Sequence, residues 1–279
     1  MKRNTLLKSL VEARQNTMNC ERSNIKVIFF DIDGTLFSHT TRSVPASTLR
    51  ALKCLQEKGI LCVIATGRHI SEMREMDFLK YGFDAYITLN GQICLDSDLE
   101  TVFEIPMEGE SMKGLLDIFH GMEIPTILTA KDGMYVNFIN EDVYLAHQEI
   151  HTSIPEVGTY SGENVYMGVI YCTKELEEAV AKKLPGCSIT RWCGYGIDVL
   201  PGEGDKVAGI RKYLELQGIS REETIAFGDG ENDMEMLRYA GIGIALGNAE
   251  EEVKAAADYV TADIDDDGVS KALEYFHII

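Results

Sequence analysis

No run of about 18 uninterrupted apolar residues occurs in this 279-residue chain, so no segment reads as a membrane-spanning helix. Met1-Lys2-Arg3-Asn4 has the basic start of a secretory leader, but the stretch 6–19 is broken by Lys8, Glu12, Arg14 and Gln15. It lacks the apolar centre that a leader needs, and a cytoplasmic location is expected. Cys-x-x-Cys spacing is missing too. The seven cysteines stand at 20, 54, 62, 94, 172, 187 and 193, and Cys54, Cys62 and Cys172 lie inside apolar segments. Small buried thiols in a reduced compartment fit that pattern; a disulfide framework does not. Positive charge is scarce: 26 Lys and Arg face 45 Asp and Glu, a net charge of −19. This argues against nucleic-acid and acidic-membrane partners. It also repels any anionic substrate, so a cation and a few local Lys or Arg must supply the attraction. Repeats and low-complexity tracts are absent, and oligomeric state is unreadable.

Residues 1–24 are polar with a weak helical pattern and read as an N-terminal extension; Met18 is an alternative start. From residue 25 strands and helices alternate. A strand at 25–30 is followed by a helix at 45–58, a strand at 60–65, a helix at 70–80 and a strand at 85–89. Such β-α-β-α-β order predicts a doubly wound, mostly parallel sheet. Asn90-Gly91 then gives a hairpin signal, and Asp132-Gly133 another. Shorter elements occupy 90–200: strands at 103–105, 126–129, 134–137, 165–171, 188–191 and 196–200, with helices at 111–120 and 175–184. We read this as an inserted α+β domain. The βα style resumes with a helix at 206–217, a strand at 224–227, a helix at 232–240, a strand at 242–245, a helix at 249–256, a strand at 258–261 and a last helix from 269. The expected division is a core of 25–89 plus 201–279 and a cap of 90–200.

The most informative stretch is Asp31-Ile32-Asp33-Gly34-Thr35. Two carboxylates directly follow a buried-strand pattern, where charge is costly unless it is used. The carboxyl end of a parallel strand is also where open α/β sheets place their ligand sites. A nucleophile paired with an acid/base around a hard cation fits. Three further sites fall at strand ends or a helix start: Thr66 in Ala65-Thr-Gly-Arg, Lys206, and Asp229/Asn232/Asp233 in Gly228-Asp-Gly-Glu-Asn-Asp-Met.

Taken in this order, from residue 25 to 279, these motifs resemble the haloacid dehalogenase-like phosphohydrolase superfamily, and the insertion resembles that of its Cof-type, class IIB members. The resemblance implies a Mg²⁺-dependent phosphatase acting on small phosphorylated metabolites, such as sugar phosphates, through an aspartyl-phosphate. In it Asp31 is nucleophile and metal ligand. Asp33 is the acid/base and binds metal through its backbone carbonyl, Asp229 completes the metal ligands, and Asp233 orients them from behind. Thr66, Gly67, Lys206 and Asn232 bind the transferring phosphate. Relatives carry a small residue before the lysine and Gly after it; here the run is Gly204-Asp205-Lys206-Val207, and Asp205 stands where it can pair with Lys206. Arg68, Arg191 and Trp192 are candidates for substrate contact. A phosphomutase or phosphotransferase shares the intermediate, and a low-turnover phospho-metabolite sensor is the non-enzymatic reading.

Singly, each residue has a plainer explanation. Asp33 can be a turn former, Thr66 a helix cap, and Lys206 a solvated lysine on a first helical turn. Three other patterns compete. Asp263-Ile-Asp265-Asp266-Asp267-Gly268 with Glu274 satisfies the calcium-loop spacing, although the preceding segment reads as strand instead of the entering helix that such a loop needs. His147-x-x-x-His151 can share a helix face but has no third zinc ligand. Gly202-Glu-Gly204-Asp-Lys206 lacks Walker spacing.

Overall fold

The computed structural model describes residues 24–150, 152–202 and 204–279. The expected extension (but for Asn24), Met18, Cys20, His151 and Glu203 lie outside the described residues. In chain order the elements are β1 (Val27–Phe30), α1 (Ala46–Glu57), β2 (Leu61–Ala65), α2 (Ile70–Glu75), β3 (Ala85–Thr88), β4 (Ile93–Asp96), β5 (Thr101–Glu104) and α3 (Gly109–Gly121). They continue with β6 (Thr126–Ala130), β7 (Met134–Val136), α4 (Glu141–Ile150), β8 (Val165–Tyr171), α5 (Lys174–Ala181), β9 (Cys187–Arg191), β10 (Gly196–Pro201) and α6 (Lys206–Gln217). The last are β11 (Thr224–Gly228), α7 (Met234–Tyr239), β12 (Ile242–Ala245), α8 (Glu251–Ala256), β13 (Tyr259–Val260) and α9 (Gly268–Tyr275). Contacts group the described residues into two units: 24–63 with 214–279, and those within 64–213.

The first unit is an α/β layer structure. Its strands lie in the order β13-β12-β11-β1-β2. The registered pairs are parallel, with Val27 opposite Thr224, Ile225 opposite Ile242 and Ile244 opposite Tyr259. Val27, Ile28, Phe29 and Phe30 are all at most 1% exposed, as expected of a parallel strand covered on both faces. Each such side chain contributes about 1.5–3 kcal/mol by burial. Phe30 stacks on Phe227 of the neighbouring strand at 5.3 Å. Helices α1 and α9 pack together, and α7 lies on β11 and β12.

In the second unit β3, β4 and β5 lie side by side in that order. Ala85 pairs antiparallel with Asp96 and Thr88 with Ile93. The connection runs through Leu89, Asn90 and Gly91, all at positive φ (51°, 50° and 99°). This is the hairpin that Asn90-Gly91 predicts. The unit also holds a five-stranded antiparallel sheet, β7-β6-β8-β10-β9. Leu115, Ile118 and Phe119 of α3 bury against Leu128, Ile170 and Val199 of that sheet. Gly168 makes the approach close, since a Cβ there would lie 2.6 Å from Leu115 Cδ1.

Several expectations need correction. The helix predicted over 70–80 stops at Glu75; Asp77 turns left-handed (φ 54°), and Phe78–Tyr81 is a 3₁₀ turn. Packing overrides periodicity there, because fully buried Phe78 stacks on Phe83 at 5.6 Å. The helix expected at 232–240 begins as a 3₁₀ turn over Glu231–Asp233, and the strand expected at 103–105 runs from Thr101 to Glu104 after an unpredicted β4. The strand expected before the acidic run, which argued against a calcium loop, is present as Tyr259–Val260. Asp263 accepts the Asp265 amide, and the Ser47 hydroxyl donates to Asp267.

Candidate active site

Asp31 is the first residue beyond β1. Its amide still donates to Phe227 O at 3.0 Å, so the β1–β11 ladder fixes its backbone, and its side chain is 7% exposed. The chain then turns sharply: the amides of Thr35, Leu36 and Phe37 all point at Ile32 O, at 3.3, 2.9 and 2.7 Å. Asp229 follows β11, the neighbouring strand. Two adjacent strand ends of one parallel sheet therefore carry the two carboxylates. Asp233 is fully buried, and its Oδ2 accepts the amides of Asp229 (3.0 Å) and Gly230 (2.9 Å). That pair of bonds bends the chain back over the β11 end and accounts for the 3₁₀ start of the following helix. Asp31, Asp229 and Asp233 each offer a carboxylate oxygen within 4.8 Å of the others.

Two residues that motif reading missed hold Asp229. The Thr35 hydroxyl donates to Asp229 Oδ1 at 2.6 Å, and the Asn248 carboxamide donates to Oδ2 at 3.0 Å and to Gly34 O at 2.9 Å. Asn248 is aimed by its own carbonyl, which accepts the Ile264 amide at 3.0 Å. Gly34 has φ +75°, and a Cβ there would fall 2.1 Å from Asp229 Oδ2. Only glycine satisfies both the backbone and the space. Thr35 follows directly on the opening motif, which is a signal; Asn248 stands alone in Gly247-Asn248-Ala249 and gives none.

Asp33 is not part of the carboxylate triad. Its side chain is 31% exposed, and its Oδ1 lies 3.4 Å from His39 Nε2, another contact that motif reading missed. Asn232 Oδ1 fills the space above Gly230, at 2.7 Å from where a Cβ would be.

Thr66, Gly67 and Lys206 belong to the second unit. Thr66 follows β2 and is 1% exposed; its amide donates to Ile87 O at 2.9 Å, and its hydroxyl accepts the Arg68 amide at 3.2 Å. It is not a helix cap: His69 caps α2, with Nδ1 accepting the Ser71 amide at 3.2 Å. Burial lowers the His69 pKa, so its imidazole stays neutral and keeps that lone pair. Lys206 opens α6 and is 1% exposed, which excludes the solvated reading. Asp205 Oδ1 accepts the Ala208 amide at 2.9 Å, a capping role at the helix start. A Cβ on Gly91 would meet Asp205 O at 2.4 Å, so the helix start presses on the Leu89–Gly91 turn.

Two of the specificity candidates are committed elsewhere. Arg191 donates to Glu177 at 2.7 Å and to the carbonyls of Cys172, Cys193 and Gly194, and Arg68 pairs with Glu72 at 3.4 Å. Trp192 covers Gly196, where a Cβ would come within 2.5 Å of the indole. His147 is buried between Thr152 Oγ1 (2.8 Å) and Tyr171 Oη (2.6 Å), a structural setting.

A parallel sheet that carries a carboxylate cluster on adjacent strand ends has the layout of an α/β enzyme. Residues 28–273 match the family model of haloacid dehalogenase-like hydrolases, and the chain belongs to that family. Subclass IIB sugar phosphatase BT4131, a solved structure, is 38% identical with a TM-score of 0.81, covering 91% of this chain and all of its own. YkrA of Bacillus subtilis (strain 168) is 32% identical over 89% of this chain and 96% of its own length. Pyridoxal phosphate phosphatase YbhA of Escherichia coli (strain K12) is 27% identical over 91% and 99%. The protein is thus a phosphatase of the haloacid dehalogenase-like family. No helix among the described residues is long and apolar enough to cross a membrane.

Proposed function

We propose that the protein is a Mg²⁺-dependent hydrolase of small phosphate monoesters, with sugar phosphates as the substrate class, working through an aspartyl-phosphate on Asp31. The observation that carries this reading is the convergence of Asp31, Asp229 and Asp233 at the β1 and β11 ends. The donors are all oxygen, which suits a hard cation and not a soft one. Gly34 leaves room against Asp229 where any side chain would fill it. Asp31, Asp229 and the Asp33 carbonyl would hold the ion, with Asp233 fixing the loop that carries Asp229. Bound there, Mg²⁺ offsets the repulsion between a carboxylate nucleophile and a phosphate dianion.

Asp31 attacks phosphorus, and the bond to the leaving oxygen breaks as its own O–P bond forms. Asp33 gives its proton to that oxygen. It then takes one from the water that cleaves the acyl-phosphate, so that inorganic phosphate leaves and both carboxyls are restored. The half-exposed side chain of Asp33 suits a group that exchanges protons with water. Thr66, the Gly67 backbone, Lys206 and Asn232 bind the phosphoryl oxygens; the near-complete burial of Thr66 and Lys206 supports a fixed, water-poor grip. The segment 90–200, built around the five-stranded sheet, serves as a cap that selects the alcohol portion. The sugar-phosphatase relative at 38% identity supports that substrate class.

EDTA is expected to abolish phosphate release from p-nitrophenyl phosphate, with Mg²⁺ restoring it; full turnover in EDTA contradicts the reading. Release without any bisphosphate activator separates a hydrolase from a mutase.

A further inference from the structure

Asp198 lies on β10, and none of the chemistry above uses it. It is partly buried, and its Oδ2 accepts a hydrogen bond from Asn90 Nδ2 at 3.0 Å, across 108 residues of sequence. Asn90 is 2% exposed and left-handed at φ 50°, beside Leu89 at φ 51°. Asparagine tolerates that geometry, but leucine adopts it rarely, so something must hold the turn. The backbone stitches this turn to the phosphate-binding turn. Asn90 N donates to Thr66 O at 2.9 Å, and Leu89 N donates to Arg68 O at 3.3 Å. The Asn90 carboxamide also lies over Gly67, where a Cβ would stand 3.2 Å from Oδ1. On the other side, Gly91 presses on Asp205 O and on Gly209, at the start of the helix that Lys206 opens.

Burial pushes the Asp198 carboxyl up to about 7; the Asn90 hydrogen bond and the Lys206 ammonium act in the opposite sense, while Glu72 adds to the rise. A carboxylate in this setting is costly to keep for packing alone.

We propose that Asp198 is a positioning residue for phosphate binding: through the Asn90 carboxamide it fixes the Thr66-Gly67 turn, and so ties the five-stranded sheet to the grip on the phosphoryl oxygens. The inference rests on the roles proposed above for Thr66 and Lys206.

The test uses the full chain, p-nitrophenyl phosphate as substrate and inorganic phosphate as competitive inhibitor, at saturating Mg²⁺. Asp198→Ala removes the acceptor. Asn90→Gly suits the left-handed backbone, keeps the fold and deletes the carboxamide. Each is expected to raise the phosphate Ki and the KM at least tenfold, with the double variant no worse than the weaker single. Half-saturating Mg²⁺ is expected to stay within twofold of wild type. A Ki within twofold of wild type in either folded variant, additive losses in the double, or a parallel loss of Mg²⁺ affinity overturns the inference. If Asp198→Ala fails to give a cooperative melt, Asn90→Gly decides alone. A wild-type chain without phosphate release defeats the phosphatase reading instead, which keeps the two failures apart.

Discussion

A single carboxylate, Asp229, is constrained from several sides. It is held by Thr35 and Asn248, faced by Gly34, and placed by a backbone that Asp233 bends. Residues that aim a ligand typically matter by 10–100-fold in metal affinity or activity. Asn248→Ala is accordingly expected to raise half-saturating Mg²⁺ by 10–100-fold with little change in melting temperature; an unchanged Mg²⁺ titration contradicts the assignment. Gly34→Ala is a harsher change. It asks alanine to adopt φ +75° and drives a methyl into the Asp229 carboxylate. Turnover should fall at least 100-fold while the circular dichroism spectrum stays native, since the strain is confined to the loop. Near-normal turnover in that variant would place the ion elsewhere.

At the scale of elements, burial patterns were legible where a strand is covered on both faces. The apolar run before Asp31 became β1, and the βα alternation at both ends of the chain became the parallel sheet. The placement of Asp31, Thr66 and Asp229 directly after β1, β2 and β11 followed from that, because a strand's carboxyl end is a fixed place. What sequence could not give was set by long-range contacts. Phe78 cut the 70–80 helix short in order to stack on Phe83, and Asp233 unwound the start of the next helix to bond Asp229 and Gly230. Asn248 reaches Gly34 across 214 residues, which no local pattern encodes.

His147 illustrates the same limit. The spacing to residue 151 read as an ordinary surface or cap histidine without a third zinc ligand, whereas the α4 side chain is buried against Tyr171. Burial lowers its pKa below the ordinary value. It therefore binds fewer protons in the native than in the unfolded state, and its contribution to stability is full above about pH 6.5 and lost as pH falls through the folded pKa. His147→Gln should be less stable than wild type at pH 7 but lose less stability between pH 7 and 5, with His69 contributing equally to both. Urea unfolding at the two pH values checks this; parallel acid losses in the two proteins contradict it.

For the whole molecule, the net charge of −19 and a substrate that is itself a dianion have to be reconciled. The chain answers locally. In the proposed reading the phosphate grip uses a buried lysine, a buried threonine and backbone, and a metal held by Asp31 and Asp229 would offset the charge of the nucleophile. Everything in this account turns on Asp31 being the group that takes the phosphoryl. The most direct measurement is the turnover of p-nitrophenyl phosphate by Asp31→Asn at saturating Mg²⁺. A folded variant whose rate falls at least 1000-fold is the predicted result. A folded variant that keeps a tenth or more of the wild-type rate would contradict the account, because a nucleophile cannot be dispensable.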